Sequence, residues 1–87
     1  MHEASLMAGL TRRIAEVASV EQAKKIRVVH VWLGALSHFS AEHFREHFED
    51  ATRNTPAEGA ELVVTLSDDI TDPRAQDVLL QRVEIED

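Results

Sequence analysis

The sequence predicts a small α+β protein, in which a three-stranded sheet carries two helices on one face in the order α-β-α-β-β. In two segments, apolar residues recur with the spacing of a helix. In three others, they alternate with polar residues or occur in a run rich in β-branched residues, as in strands. A chain of 87 residues has room for one domain with a single core. Two amphipathic helices and a small sheet then bury their apolar sides best as two layers.

The first helix is predicted over residues 4–18. Its apolar side chains recur at intervals of four, four and three residues and share one stripe: Leu6, Leu10, Ile14 and Val17. Glu3 comes just before this helix, where a carboxylate is favoured by the helix dipole. Glu3 therefore has a structural explanation as well as a possible role as a ligand.

The first strand is predicted over residues 26–33, a segment rich in β-branched and aromatic residues that ends at Gly34. Its more aliphatic face is the predicted core face, with the residues Arg27, Val29, Val31 and Leu33. The other face carries His30 and Trp32. An aromatic side chain on an open sheet face is typical of a contact with a partner, although Trp32 would be ordinary core if the two faces were reversed.

The second helix is predicted over residues 41–53, with Ser40 as its N-cap. Phe44 and Phe48 are four residues apart and should face the core together. His43 and His47 have the same spacing, which can bind zinc. Without a third ligand in view, we expect this histidine pair to be part of a solvated helix face.

The remaining strands are predicted over residues 60–66 and 79–86, where apolar and polar residues alternate. Residues 67–77 are polar and acidic, contain a proline and read as a loop. Eleven residues are ample for a hairpin-like link between adjacent strands.

The composition of the chain limits the classes of function that it can have. The net charge of −7, with 16 acidic and 9 basic residues, argues against a nucleic-acid partner. The sequence has no cysteine, so any metal must be held by histidine, carboxylate or backbone nitrogen. No apolar run is long enough to span a membrane, and no signal-peptide pattern is visible. We therefore expect a cytoplasmic protein, and the absence of an activated nucleophile or acid–base pair argues against an enzyme.

The N-terminal tripeptide Met1-His2-Glu3 offers a ready chelate. The Met1 amine, the His2 backbone nitrogen and the His2 imidazole can all bind one metal ion. Glu3 could supply the fourth ligand of a square-planar site. Nitrogen donors in a plane suit Ni(II) or Cu(II) better than tetrahedral Zn(II). The alternative is that histidine follows the initiator methionine by chance.

These features, taken in order, resemble the HypA/HybF family of hydrogenase (and urease) nickel-insertion accessory proteins. The similarity rests on the start Met1-His2-Glu3 with its following helix, and on later segments that resemble family motifs: Ala23–Ile26, Gly34–Ser37, Phe44–Glu49, Thr55–Leu62 and Val83–Glu86. The resemblance implies helices packed on a small sheet and Ni(II) held transiently by His2, Glu3 and the backbone nitrogens around them. It also implies a HypB-type GTPase and the hydrogenase large subunit as partners.

One departure from the family is large. Its members carry a zinc module with two Cys-x-x-Cys pairs between the last two strands, whereas residues 67–77 contain no cysteine. The resemblance therefore implies a single nickel-binding-type domain over residues 1–87 without structural zinc. A fourth nickel ligand should then come from this domain, and His38 is the best-placed candidate, since the family's equivalent loop lies near the N-terminus. The alternative is a metal-free module that docks a maturation factor, or forms a homodimer, through the face of Trp32.

Overall fold

The computed structural model describes residues 2–86, with His2 and Glu3 described by their backbone alone. The helices and strands follow the predicted order: α1 His2–Val20, β1 Lys25–Leu33, α2 Ala41–Ala51, β2 Glu61–Leu66 and β3 Val78–Glu86. The prediction of a small α+β fold with a three-stranded sheet is confirmed. Helix α1 begins two residues earlier than predicted, and α2 ends two residues earlier, at a capping residue, Thr52, whose N–H donates to the Phe48 carbonyl.

The sheet has the strand order β2-β1-β3, with β1 in the centre. Strand β1 pairs parallel with β2, so α2 is the crossover between them, and it pairs antiparallel with β3. Residues 67–77 therefore join the two edge strands and pass over the end of β1. The expectation of a hairpin-like link between adjacent strands is wrong, because the strand order depends on a long-range pairing that periodicity does not contain.

Both helices contribute to one core against the same face of the sheet. Helix α1 buries Met7, Leu10, Ile14 and Ala18, and α2 buries Phe44 and Phe48. Leu6 and Val17 of the predicted stripe are only half-buried, at the edge of this core. The buried side chains of the helices meet a layer of aliphatic side chains from the sheet: Ile26, Val29, Val31, Leu33 and Leu62. Burying one such large side chain stabilises the fold by about 1.5–3 kcal/mol, so this single cluster supplies most of the apolar driving force.

Arg27 does not lie on the core face, contrary to the prediction from strict alternation. Ile26 pairs with Ile85, but Val28 pairs with Glu84, so β1 has one extra residue at this point. Such a bulge changes the side of the sheet to which the neighbouring residues point. Ile26 is consequently fully buried in the core, while Arg27 is exposed on the opposite side.

The face opposite the helices carries a charged network centred on Glu84. The His30 Nε2 atom lies 2.9 Å from one carboxylate oxygen of Glu84, and the Arg27 guanidinium lies 3.1 Å from the other. Arg82 adds a longer contact of 3.5 Å. Trp32 also lies outside the hydrophobic core, as predicted. Its ring is partly covered by Arg74, whose guanidinium lies 5.6 Å from the ring centroid.

The link 67–77 is held against the end of β1 by backbone hydrogen bonds. The Gly34 N–H donates to the Asp77 carbonyl at 2.9 Å, and the Leu36 N–H donates to the Ala75 carbonyl at 2.7 Å. A Cβ atom at Gly34 would overlap the Ala75 carbonyl and lie 2.7 Å from the Arg74 carbonyl oxygen. Only glycine allows two backbone segments to approach so closely.

We expect Gly34→Ala to destabilise the protein by about 3 kcal/mol or more, because backbone atoms cannot move aside as a flexible side chain would. Gly9→Ala is the matched control, since a Cβ atom there meets nothing within 4 Å and alanine improves helix propensity. It should stabilise the protein by up to about 1 kcal/mol. Urea unfolding measures both free energies. A Gly34→Ala protein as stable as wild type would contradict the close approach.

The Glu84 network predicts a dependence of stability on pH. The hydrogen bond from His30 is the main cause that lowers the pKa of Glu84, with smaller contributions from Arg82 and Arg27. Because the folded-state pKa lies below the ordinary glutamate value of about 4.3, the stabilisation is present above that pH and disappears as the pH falls through the folded-state value. Glu84→Gln should therefore melt at a lower temperature than wild type at about pH 7, and the difference should shrink as the pH falls below the ordinary glutamate value. Glu86→Gln, an exposed glutamate of the same strand, is the control. Equal melting temperatures of wild type and Glu84→Gln at neutral pH would refute the role of the network.

Candidate metal centre

The N-terminal turn of α1 is where the sequence places the metal ligands. Met1 lies outside the described residues, as do the side chains of His2 and Glu3. The backbone shows that the helix already begins at His2. The first amides of an α-helix have no intrahelical carbonyl to bond, so backbone nitrogens in this turn can bind another partner without breaking the helix.

A surface depression lies beside this turn. It has a volume of about 390 Å³ and is lined by three segments that are distant in sequence: Ser5 and Leu6 of α1, Leu36 to His38 of the turn after β1, and Gln76 and Asp77 of the link. The depression therefore gathers residues of α1, the β1–α2 connection and the end of the link at one edge of the protein.

His38, the candidate for a fourth ligand, lines this depression together with Ser5 and Leu6 of α1. Its backbone has φ = 68°, a left-handed conformation that is uncommon outside glycine but several-fold enriched for histidine, asparagine and aspartate. Its side chain is exposed. An exposed imidazole can turn towards an ion at the helix start.

Asp77 is a second candidate ligand that the sequence analysis did not identify. Its carbonyl accepts from the Gly34 N–H and its own N–H donates to the Arg74 carbonyl, both at 2.9 Å. These two bonds fix its backbone at the depression, which Asp77 lines together with His38, and its side chain is exposed. Within the sequence Asp77 is one of several acidic residues in a loop, and only the crossing of the link over β1 brings it to this site.

Ser37 provides an unusual polar atom at the same place. The residue is buried, at 3% exposure, and its Oγ finds no hydrogen-bond partner among the atoms of residues 2–86 that the structure describes. Most buried hydroxyl groups are hydrogen-bonded. Ser37 therefore adds a buried polar atom without a described partner to the lining of the depression.

His43 and His47 lie elsewhere, on the exposed face of α2. They do not join His38, and no cluster of three or more metal-binding side chains occurs in the part of the chain whose side chains are described. Among residues 2–86, no helix is both long and apolar enough to cross a membrane.

Comparison with known proteins points to one family. A family model described as "Hydrogenase/urease nickel incorporation, metallochaperone, hypA" matches residues 1–71. The hydrogenase maturation factor HypA of Caldanaerobacter subterraneus subsp. tengcongensis is 41% identical over 63 residues, which are 72% of this chain and 55% of that protein. HypA of Chlorobaculum parvum is 36% identical over 64 residues, 74% of this chain and 57% of that protein. The chain thus matches little more than half the length of these curated relatives.

A solved structure shows the same fold. The solution structure of the Ni metallochaperone HypA from Helicobacter pylori superposes with a TM-score of 0.78 at 20% sequence identity, covering 98% of this chain and 97% of that one. The relatives are named as maturation factors, in agreement with the prediction of an accessory protein rather than an enzyme. The match of the family model over residues 1–71, together with these relatives, shows that the chain belongs to the HypA family.

Proposed function

We propose that this chain is a nickel metallochaperone-like accessory protein of hydrogenase maturation, which binds Ni(II) transiently at Met1-His2-Glu3. One observation carries the proposal: the depression beside the first turn of α1 collects a histidine, a carboxylate and an unpartnered buried hydroxyl, His38, Asp77 and Ser37. The family membership supports nickel as the cargo.

In the proposed site, the Met1 amine, the His2 amide and the His2 imidazole supply three nitrogen donors, and the fourth comes from His38 or Glu3. A planar nitrogen-rich set favours Ni(II) and Cu(II). Asp77 is placed to bind a water of the ion or to balance its charge. Residues 1–87 form one nickel-binding-type domain in this proposal, with residues 67–77 as a short loop where the family carries its zinc module and with no structural zinc.

Calorimetric titration of the untagged protein with Ni(II) tests the site. We expect one His2-dependent site per chain, which is lost in His2→Ala and in a protein whose Met1 amine is blocked by an N-terminal extension. His38→Asn should weaken binding if His38 is the fourth ligand, because asparagine tolerates the left-handed backbone but lacks the imidazole. Affinity should fall with falling pH, since the imidazole and the amide nitrogens must lose protons to bind. Equal nickel binding by wild type and His2→Ala would refute the proposal.

For the partners, we propose a cytoplasmic HypB-type GTPase and the hydrogenase large subunit, with docking through the face of Trp32. Trp32, Val63 and Leu79 are half-buried side chains outside the buried core, which is the kind of surface that a partner can cover. The same face could join two copies in a homodimer, and this surface is the observation that favours the alternative of a metal-free docking module.

Trp32 is the only tryptophan of the chain, so its fluorescence reports on this face alone. Adding a HypB-type GTPase that lacks tryptophan should shift the emission to shorter wavelength as the indole loses water. If the emission of this protein shifts with its own concentration when no GTPase is present, the face of Trp32 forms a homodimer. Complex formation by gel filtration without any change in the emission would show that the partner binds elsewhere. Docking without His2-dependent nickel binding would leave the metal-free module as the function.

A further inference from the structure

His43 and His47 form a close pair on the exposed face of α2. Their Nε2 atoms are 2.8 Å apart, and their rings are stacked with a centroid distance of 4.6 Å. Residues four apart on a helix face the same way, but contact between these two nitrogens further requires both rings to turn towards each other. The pair is thus more than two histidines that share a solvated face.

The spacing of the two nitrogens matches one class of metal coordination. With metal–nitrogen bonds of about 2.05 Å, donors 2.8 Å apart subtend an angle of about 86° at the ion. This is close to the right angle between neighbouring positions of a square or an octahedron. A tetrahedral ion needs donors roughly 3.3 Å apart at the same bond length. The pair therefore fits Ni(II) or Cu(II) better than Zn(II).

The surroundings hold the two rings together. Phe39 is buried beneath them and contacts both edge-on, with centroid distances of 6.0 Å to His43 and 6.4 Å to His47. Ser40 accepts a hydrogen bond from the His43 N–H at 3.1 Å, so the turn of helix that carries His43 is capped. The helix also carries Glu42 and Glu46, and the net charge of −7 favours the approach of cations.

We propose that His43 and His47 form a second metal site, separate from the N-terminal one, which takes Ni(II) or Cu(II) through both Nε2 atoms with water in the remaining positions. In the free protein one Nε2–H donates to the other Nε2. In the bound form both rings carry their proton on Nδ1, so both Nε2 lone pairs face the ion. Rotation about χ2, which is broad for histidine, allows this adjustment. With two protein ligands the ion stays open to exchange.

Removal of the N-terminal site isolates the second one. In a His2→Ala protein whose Met1 amine is also blocked by an N-terminal extension, called His2→Ala below, titration with nickel chloride should show one remaining site per chain, weaker than the one that is lost. Adding His43→Ala or His47→Ala should weaken this remaining site at least tenfold, because each change converts a chelate into a single imidazole. Both side chains are exposed, so the fold should persist, and circular dichroism checks this. Saturating nickel should raise the melting temperature of His2→Ala only while both histidines are present.

The double change His47→Ala with Ala51→His is the matched control, since it keeps two imidazoles on α2 but separates them by about two turns. It should bind as weakly as His47→Ala. Copper electron paramagnetic resonance should show two nitrogen ligands in His2→Ala and one in each single variant. Nickel binding by His2→Ala that is absent, or that is unchanged by removing His43 and His47, would overturn the second site. Loss of the His2-dependent site alone tests the proposed function, so the two can fail separately.

Discussion

The close approach of two backbone segments at Gly34 is the constraint on which the rest of the molecule depends. The link from β2 to β3 has to cross the end of the central strand, and it does so in direct contact with the Gly34 backbone. This contact starts β3 antiparallel to β1 and closes the core at that end. It also brings Asp77 beside His38, so the candidate metal centre is a consequence of how the sheet is closed.

The pairing of β1 with β3 contains two irregularities that cancel. Strand β1 has an extra residue at Arg27, and β3 has one at Gln81, where His30 pairs with Arg82 but Val31 pairs with Leu80. The register is therefore the same at both ends of the pair and shifted only between the two bulges. A single bulge would turn the far part of one strand over and expose its apolar side. Two opposed bulges keep a continuous aliphatic face for the helices and place the Glu84 network on the other face.

The sequence predicts the elements well and their long-range arrangement poorly. The pair Phe44 and Phe48 and the Ser40 N-cap are local patterns, and each appears in the structure as predicted. The stripe of α1 is confirmed only at its centre, because Leu6 and Val17 are half-buried. The central position of β1 and the exposure of Arg27 were not predictable from periodicity, because both follow from which strands pair and where a bulge falls. The same limit applies to the site: His38 was proposed through the resemblance, whereas Asp77 becomes a candidate only once the crossing of the link is known.

The start of α1 at His2 places the proposed nickel site at the positive end of a helix dipole. A bare divalent cation is disfavoured there, since that end of a helix attracts anions. Nickel bound through deprotonated backbone nitrogens is a different species, because each lost amide proton adds a negative charge beside the ion. The helix start therefore favours metals that displace amide protons over those that bind only as cations. The carboxylate of Asp77, near the same turn, offsets what positive charge remains. His43 also lies in the first turn of its helix, α2, where the carboxylate of Glu42 counters the positive end of the dipole. Its pair with His47 binds through neutral imidazoles, which lose no proton to the metal. The two sites thus differ in the proton release that accompanies binding, which makes nickel at the N-terminus the more strongly dependent on pH.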